Sequence, residues 1–515
     1  MNVLLVFPKF PLSYWGFQYA LPFIGRKAGM PPLGLITIAS LFPAHWTVRL
    51  VDMNVDPLRA DDIMWADVVF TSSMLVQKKS LYGVIQLCNK YDTPIVVGGP
   101  HPTSYRQEIE EECGGLVDHF FLGEAETLFA DLVRDLQSGT AQRVYDTRGE
   151  KPDIRLAPIP RFDLLKINAY GSMAIQFSRG CPFDCEFCDI TKLFGKIPRT
   201  KTPEQMLAEC DALLMCGWRG PVFLVDDNFI GQMKRALEFL PHLAHWQKAH
   251  GFPFAFYTEA SVNIGKSLEL VDAMVNAGFS MVFLGIETPN AKVLRRIGKT
   301  QNTQRMIGSK EYNPDFLPDV IRTLQQKGLE VTAGFIYGMD GEPEDAAERQ
   351  VAFIEETAIA VAMTGILEPL KGTDLYIRLA QAGRLVDQAS GNNVSARLAY
   401  IPERDSETVL REYRMILNAL YGKGLKSYFG RAYRLLTTLK VTDHTVRKIG
   451  MLELKALARS LFYQTFSAHG PAYLTFLAKI LVKRPKMFVE AIRLAIMGYH
   501  FERYTQDILR IQPVH

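Results

Sequence analysis

The sequence predicts an α/β protein in three parts: an N-terminal doubly wound parallel sheet of Rossmann-like kind, a central partial (β/α)6 barrel of TIM-like kind, and a mostly helical C-terminal region. Three observations predict it. Short, continuously apolar runs alternate with helix-patterned segments over two long stretches, as parallel strands buried on both faces require. A segment rich in proline and charge, RGEKPDIRLAPIPRFD, divides those stretches and reads as a linker. Past about Asp374 the strand pattern stops and aromatic, basic helical patterns take over. At 515 residues the chain exceeds what one hydrophobic core supports, so two or three domains are expected. The boundaries fall at 1–138, 139–169 for the linker, 170–373 and 374–515.

In the first domain VLLVFP, VRLVDMN, DVVFTSSM, PIVVGGPH and HFFLGEAE read as five strands, with helical segments such as KKSLYGVIQLCNKY between them. Ligands of such sheets bind beyond the carboxyl ends of the strands. Those ends carry Ser72, Ser73 and Met74, then Gly98, Gly99 and Pro100, then Gly123 and Glu124, with Gln77 just past the third strand. Small residues there leave room for a broad planar ligand, and they also serve ordinary tight turns.

The second domain carries six strand–helix units, with SMAIQFSRG, PVFLVDD, FAFYTEAS, MVFLGIE, VTAGFIYG and TGILEPL as the strands. Thr202, Pro203 and Gln205 open its first long helix as N-cap, first-turn proline and capping-box partner. Barrel chemistry sits at the carboxyl ends of the strands. There the sequence sets Asp226, Asp227 and Asn228, then Glu259, Glu287, Tyr337 and Glu368. An acid at such a place also serves as a strand-end cap or an ion-pair partner.

The first barrel strand runs into FSRGCPFDCEFCDI, which sets Cys181, Cys185 and Cys188 in a C-x-x-x-C-x-x-C array. Three thiolates so spaced can fold around three corners of a cubane [4Fe–4S] cluster, leaving the fourth iron open to a substrate or cofactor. A structural zinc site would want a fourth Cys or His at regular spacing, and none stands nearby. Cys88, Cys113, Cys210 and Cys216 are scattered and read as inert buried thiols, not as a disulfide framework.

Composition narrows the class. Hydrophobic residues make up 48% and charged residues 22%, a globular balance. A formal net charge of +3 gives no reason to expect nucleic acid as a partner. The opening MNVLLVFP lacks the basic region and cleavage pattern of a secretory signal, and no apolar run reaches the roughly 18 residues of a spanning helix. A reduced cytoplasmic setting is therefore expected, which suits an oxygen-labile cluster. The C-terminal segments YFGRAYRLLTTLK, ALARSLFYQTF and LVKRPKMFVEAIRLAIMGYHFERY interleave Arg and Lys with aromatics. They read as a cap packed on the barrel, or as the contact surface of a peripheral membrane enzyme.

The cysteine array, with a strand before it and Phe187 ahead of its last cysteine, resembles the signature of the radical S-adenosylmethionine (SAM) superfamily. MPPLGL at 30–35 and VVGGPH at 96–101 resemble the cobalamin-binding domain that precedes many radical SAM modules. Over roughly residues 1–370 the chain resembles the cobalamin-dependent radical SAM family. RGCPFDCEFCDI followed by PRTKTPEQ, with the C-terminal extension, brings it nearest the branch with hopanoid C-2 methylases and peptide C-methyltransferases. Two departures stand out. The D-x-H-x-x-G motif is absent, since PKFPLSYWG follows the first strand; Met74 and Gln77 remain as neighbours for the lower face of cobalt. VDDN occupies the position of the amine-binding motif without its two glycines, whereas Glu287 in FLGIETPN resembles the ribose-binding position.

The resemblance implies a [4Fe–4S] cluster, SAM and cobalamin as cofactors, and a flavodoxin or ferredoxin as electron donor. It implies reductive cleavage of SAM, hydrogen abstraction from an unactivated carbon, methyl transfer from methylcobalamin and remethylation of cobalt by a second SAM. The substrate would be a lipid or a protein or peptide side chain, with Asp226, Glu259 and Tyr337 in the polar wall of the reaction cavity and Glu259 and Tyr337 as the catalytic candidates. Two other readings stand beside it: a non-methylating radical SAM enzyme, such as an anaerobic cyclase or oxidase, and a non-catalytic cobalamin sensor.

Overall fold

The computed structural model describes residues 1–303, 316–442 and 450–510. The first sheet holds β1 (Asn2–Phe7), β2 (Thr47–Asp52), β3 (Val68–Ser72), β4 (Ile95–Gly98), β5 (His119–Leu122) and β6 (Val144–Asp146). Their spatial order is β2-β1-β3-β4-β5-β6, and every pairing is parallel. The five apolar runs become β1 to β5. The sixth strand comes from inside the segment read as a linker, with Val144 opposite Phe120 on the sheet edge. Side chains alternate across the sheet as the pleat demands. Leu4, Val6 and Val69 pack on Leu81 and Ile85, while Val3, Leu5 and Phe70 pack on Phe42, Trp46 and Phe129 on the other face. The strand order reverses between β1 and β3, and a ligand crevice opens at the carboxyl ends of such a pair.

The second sheet follows with β7 (Met173–Ile175), the short antiparallel pair β8 (Ser178–Arg179) and β9 (Arg199–Thr200), β10 (Gly220–Leu224), β11 (Phe254–Ala260), β12 (Phe279–Glu287), β13 (Glu330–Tyr337) and β14 (Ala362–Ile366). The six long strands run β14-β13-β12-β11-β10-β7, all parallel, which makes an open-sided partial barrel. The expected capping box forms: Thr202 Oγ1 accepts from Gln205 N at 3.3 Å and Gln205 Oε1 from Thr202 N at 3.1 Å. Along β11 the face toward the helices, Phe254, Phe256, Thr258 and Ala260, is buried, whereas Ala255, Tyr257 and Glu259 face the interior and keep partial access to solvent.

The C-terminal region is helical, with long helices at Ser406–Tyr421, Lys426–Thr438, Met451–Thr465, Gly470–Lys483 and Phe488–Arg510. Its core is continuous with the barrel's. The fully buried Arg431 pairs with Glu355 and donates to the carbonyls of Ile359 and Leu420, so a charge without solvent is matched group by group. The loop after β1 reaches the same region. Tyr14 is buried among Tyr421, Phe501 and Tyr504, with its hydroxyl 2.5 Å from Thr505 Oγ1. Among the described residues no helix is long and apolar enough to cross a membrane.

Candidate active site

The three cysteines lie on the loop between β8 and β9. Gly180 starts that loop at φ +99°, where a Cβ would meet the Gly195 carbonyl at 2.8 Å, so only glycine admits the close return of the chain. Cys181 N donates to Gly195 O at 3.2 Å and Cys188 N to Cys185 O at 3.1 Å. A second loop presses on the first. Glu186 N donates to Ile297 O at 3.0 Å, and Gly298, at φ +74°, would set a Cβ 2.8 Å from Asp184 O. This contact brings Lys299 and Gln301 to the cysteines, while Asn302 donates to the carbonyls of Gly285 and Ile286 beside Glu287. Gln301 Nε2 stands 3.6 Å from Cys185 Sγ, and Asn228 Nδ2 stands 3.9 Å from Cys181 Sγ.

This environment fits an iron–sulfur cluster. Burial pushes all three thiols up, and Lys299 acts the other way on Cys185 and Cys188. Amide donors and a cation aimed at sulfur are what a thiolate-held cluster needs to stabilise its charge. Among the described residues no three His, Cys, Asp or Glu side chains converge as ligands of a single metal ion. A cubane instead takes each thiolate on a different iron, so spread cysteines suit it better than they suit zinc.

Acids crowd the strand ends behind the loop. Asp226 is buried and spends both oxygens on the approach to the cysteines, accepting from Phe177 N at 2.8 Å and Ser178 Oγ at 2.7 Å. Burial still pushes it up to about 7. Asp227 accepts from the Gly180 backbone, and burial raises it to about 6. Asn228 joins two strand ends, its Oδ1 accepting from Ser261 N at 3.1 Å. Glu259 faces the interior with Asp227 and Glu287 as like charges, and burial first, then those neighbours, push it up to about 8. Glu287 sits at a β-bulge with φ +64°, a left-handed conformation that a non-glycine residue holds only where its surroundings fix it. Its partner is the buried Lys299. Gln301 Oε1 and Asn302 Oδ1 are buried acceptors with no hydrogen-bond donor in the structure.

The inner wall beyond these acids is apolar. Phe223 stacks on Tyr257 with ring centroids 4.8 Å apart. Phe283 meets Trp15, from the loop after β1, at 5.2 Å. Gly334 makes this possible, since a Cβ there would lie 2.9 Å from the Phe283 ring. Phe223, Tyr257, Phe283 and Ile336 all keep partial access.

At the first sheet the predicted residues divide. Met74 is 52% exposed at the end of β3. Gln77 instead turns inward, bridging the β1 and β3 ends by donating to Pro8 O at 2.5 Å and accepting from Met74 N at 2.9 Å. Gly99, at φ +98°, clears Ser72 Oγ, which a Cβ would approach to 2.5 Å. Ser73 is buried against His101, and Gly98 N-terminal to Pro100 lies against the β5 backbone. Gly123 is hemmed in by Thr147. Glu124 reaches the barrel: it accepts from Arg179 Nη1 at 2.9 Å and Arg199 Nη2 at 2.8 Å, the residues of β8 and β9 that frame the cysteine loop.

The structure thus gathers Cys181, Cys185, Cys188, Asp226, Asp227, Asn228, Glu259 and Glu287 at one place. Tyr337 lies outside that group: it is fully buried, donates to Glu412 and accepts from Arg404 Nη1 at 3.0 Å, tying β13 to the helical region. Lys299, Gln301, Asn302 and Trp15 were not singled out by sequence reasoning. The first three stand together in GKTQN, past the short helix that follows the Glu287 strand, with nothing in the sequence to tie that run to the cysteines.

Three family models match consecutive stretches of the chain: the B12 binding domain at residues 24–133, the radical SAM superfamily at 175–354, and a domain of unknown function, DUF4070, at 373–512. An uncharacterized methyltransferase of Synechocystis is 39% identical over 512 residues, 99% of this chain and 92% of that protein. Hopanoid C-2 methylase of Rhodopseudomonas palustris is 37% identical over 405 residues, 78% of this chain and 74% of that protein. In fold the chain is similar to the radical SAM methyltransferase TsrM from Kitasatospora setae, solved with cobalamin and a [4Fe–4S] cluster bound, with a TM-score of 0.60 at 13% identity over 99% of this chain and 100% of that one. A cobalamin domain, a cysteine-bearing partial barrel and close methyltransferase relatives agree: this chain belongs to the cobalamin-dependent radical SAM methyltransferase family, whose cofactors are a [4Fe–4S] cluster, SAM and cobalamin.

Proposed function

We propose that the protein methylates an unactivated carbon of a polycyclic, apolar lipid of the hopanoid type. The observation that carries this reading is the inner wall of the barrel, which is lined by two aromatic pairs, Phe223 with Tyr257 and Phe283 with Trp15. A rigid apolar ring system matches such a wall and loses little conformational freedom on binding. The similarity to a hopanoid C-2 methylase supports the same choice.

When bound, the cluster and SAM supply hydrogen abstraction, and cobalamin supplies the methyl group. The chain's own residues do the rest. Cys181, Cys185 and Cys188 hold iron, while Asn228 and Gln301 donate to their sulfurs. Lys299 offsets the negative charge of the thiolates beside it. Glu287 would accept hydrogen bonds from the ribose hydroxyls of SAM, and Asp227, with the free oxygens of Gln301 and Asn302, would accept hydrogen bonds from its ammonium. Asp226 is a positioning residue that holds the strand leading to the cysteines. Glu259, whose carboxyl burial and the neighbouring acids raise to about 8, stands on the interior face between these acids and the apolar wall. Met74, with the backbone around Ser72, Gly98, Gly99 and Pro100, lines the crevice that receives the corrin.

The test is anaerobic incubation of the reconstituted holoenzyme with a flavodoxin or ferredoxin donor and a pentacyclic hopanoid, or in parallel a peptide mixture. The expected result is a methylated lipid with matching amounts of 5′-deoxyadenosine and S-adenosylhomocysteine. A methylated peptide with unmodified lipid would refute the lipid assignment. 5′-Deoxyadenosine without S-adenosylhomocysteine, in the presence of turned-over lipid, would refute methyl transfer.

A further inference from the structure

Helices Met451–Thr465 and Gly470–Lys483 pack on one another as a hairpin at the outside of the C-terminal region. Each has an inner face that meets the fold: Ala456, Ser460 and Gln464 on the first, Tyr473, Phe476 and Ile480 on the second. A soluble helix is expected to be polar on the other side. These are not. Leu454, Leu461 and Phe462 recur at helical spacing on the outer face of the first helix, followed by Phe466, and Leu474, Leu481 and Val482 do so on the second. Phe462 is 69% exposed, Val482 86% and Phe466 88%. Two parallel apolar stripes facing water form a patch of the kind that marks a binding surface.

Charge indicates what covers it. Residues 451–486 hold Lys455, Arg459, Lys479, Lys483, Arg484 and Lys486 against the single acid Glu453, in a chain that is otherwise close to balanced at +3 overall. Lys455, Lys479, Lys483 and Lys486 are exposed. Apolar stripes flanked by lysines are the two elements of interfacial binding: acyl chains take the stripes, and anionic headgroups take the cations. A second protein copy would bring the same positive charge against itself. Neither helix is fit to cross a bilayer, so the hairpin would lie in the plane of the surface.

We infer that this helical hairpin is the surface on which the protein docks to an anionic lipid bilayer. Its position also joins that surface to the barrel. The loop after β1 sets Phe23 against Tyr463 of the hairpin, with ring centroids 5.7 Å apart, and Trp15 against Phe283 of the inner wall at 5.2 Å. Arg459 Nη1 ties the two elements by donating to Pro22 O at 2.8 Å. One short loop therefore runs from the membrane-facing hairpin to the reaction cavity, a route whose use by substrate rests on the lipid function proposed above. Docking itself does not depend on that function.

The experiment is sedimentation of the full-length holoenzyme with vesicles of phosphatidylcholine alone and of phosphatidylcholine mixed with phosphatidylglycerol. The protein is expected to pellet with the anionic vesicles and to be released by salt, which screens the headgroups. Lys479→Glu with Lys483→Glu is expected to weaken partitioning by about thirtyfold or more. Phe462→Ser with Phe466→Ser is expected to weaken it by at least about tenfold. All four residues are exposed, and only the Lys479 contact with the Tyr433 ring and the Phe462 contact with Tyr463 are at stake, so thermal unfolding should change little, and this control separates lost docking from lost folding. Wild-type protein that stays in the supernatant with anionic vesicles overturns the inference. So do variants that bind as the wild type does, or a dimer in sedimentation equilibrium that the Phe462 and Phe466 changes dissolve while vesicle binding is nil. Each of these results leaves the methylation assay standing on its own.

Discussion

The two parallel sheets point their carboxyl ends at the same space, yet they finish in opposite ways. At the first sheet the acid that meets the barrel is matched by cations, and Asp52, raised by burial, is held by Asn54 and Tyr170. Glu124 lies between the guanidiniums of Arg179 and Arg199, Gln77 closes the gap between β1 and β3, and the glycines exist because neighbouring chain leaves no room for a Cβ. At the barrel, acids accumulate faster than cations. Asp226, Asp227 and Glu259 are all raised by burial, and Lys299 is shared between Glu287 and the cysteines. The first end recognises by shape what it does not need to hold by charge. The second stores unfavourable electrostatics that a cationic ligand such as a sulfonium with its ammonium would relieve.

Four substitutions test this contrast. Cys185→Ala removes a thiolate from the barrel end and should abolish reductive SAM cleavage and most bound iron and sulfide, measured on the anaerobically reconstituted protein. Full iron content in that variant would break the cluster assignment. Next, Glu124→Ala leaves the largely buried Arg199 without a carboxylate, while Arg179 keeps Glu126, and should cost about 3 kcal/mol in urea unfolding. A loss below about 1 kcal/mol would show that the first end is not a matched system.

The third substitution runs the other way. Glu259 has its folded value raised from 4.5 to about 8, so its contribution to stability is complete below the ordinary carboxyl value, falls as pH climbs between the two, and is gone above about 8. Glu259→Gln should therefore stabilise the cofactor-free protein at pH 9 by about 2 kcal/mol, well under the full shift because the side chain is partly accessible. At pH 4 the variant and wild type should unfold alike, and equal stability at pH 9 would refute an unbalanced barrel end. The smallest effect belongs to Met74→Ala. An exposed side chain should alter stability by less than about 0.5 kcal/mol, while cobalamin retention on a desalting column falls if the thioether supports the corrin.

Most of the architecture was legible because buried parallel strands write themselves as apolar runs. All six barrel strands and β1 to β5 coincide with such runs. What escaped was short. β6 has three residues on an edge, and β8 and β9 have two each, too few for any periodicity to register. At the site, the cysteines and the strand-end acids were legible because they follow strands directly. Lys299 and Gln301 were not, because the contact of Gly298 with Asp184 that delivers them is tertiary. Glu124 shows the opposite difficulty. Its place after β5 suggested a ligand contact, and only the assembled structure reveals two arginines from another domain at its carboxylate.

The seating of Tyr14 among Tyr421, Phe501 and Tyr504, with its hydroxyl on Thr505, bears on how the chain is made. A ribosome adding about 5–20 residues per second needs roughly 25–100 s to go from Tyr14 to Thr505. Throughout that interval the first sheet can form, but the aromatic loop beside it has no core to enter. The seat of Tyr14 is therefore incomplete until the last helix is made. Premature termination within that helix would leave an apolar, aggregation-prone surface next to the nascent cofactor pocket.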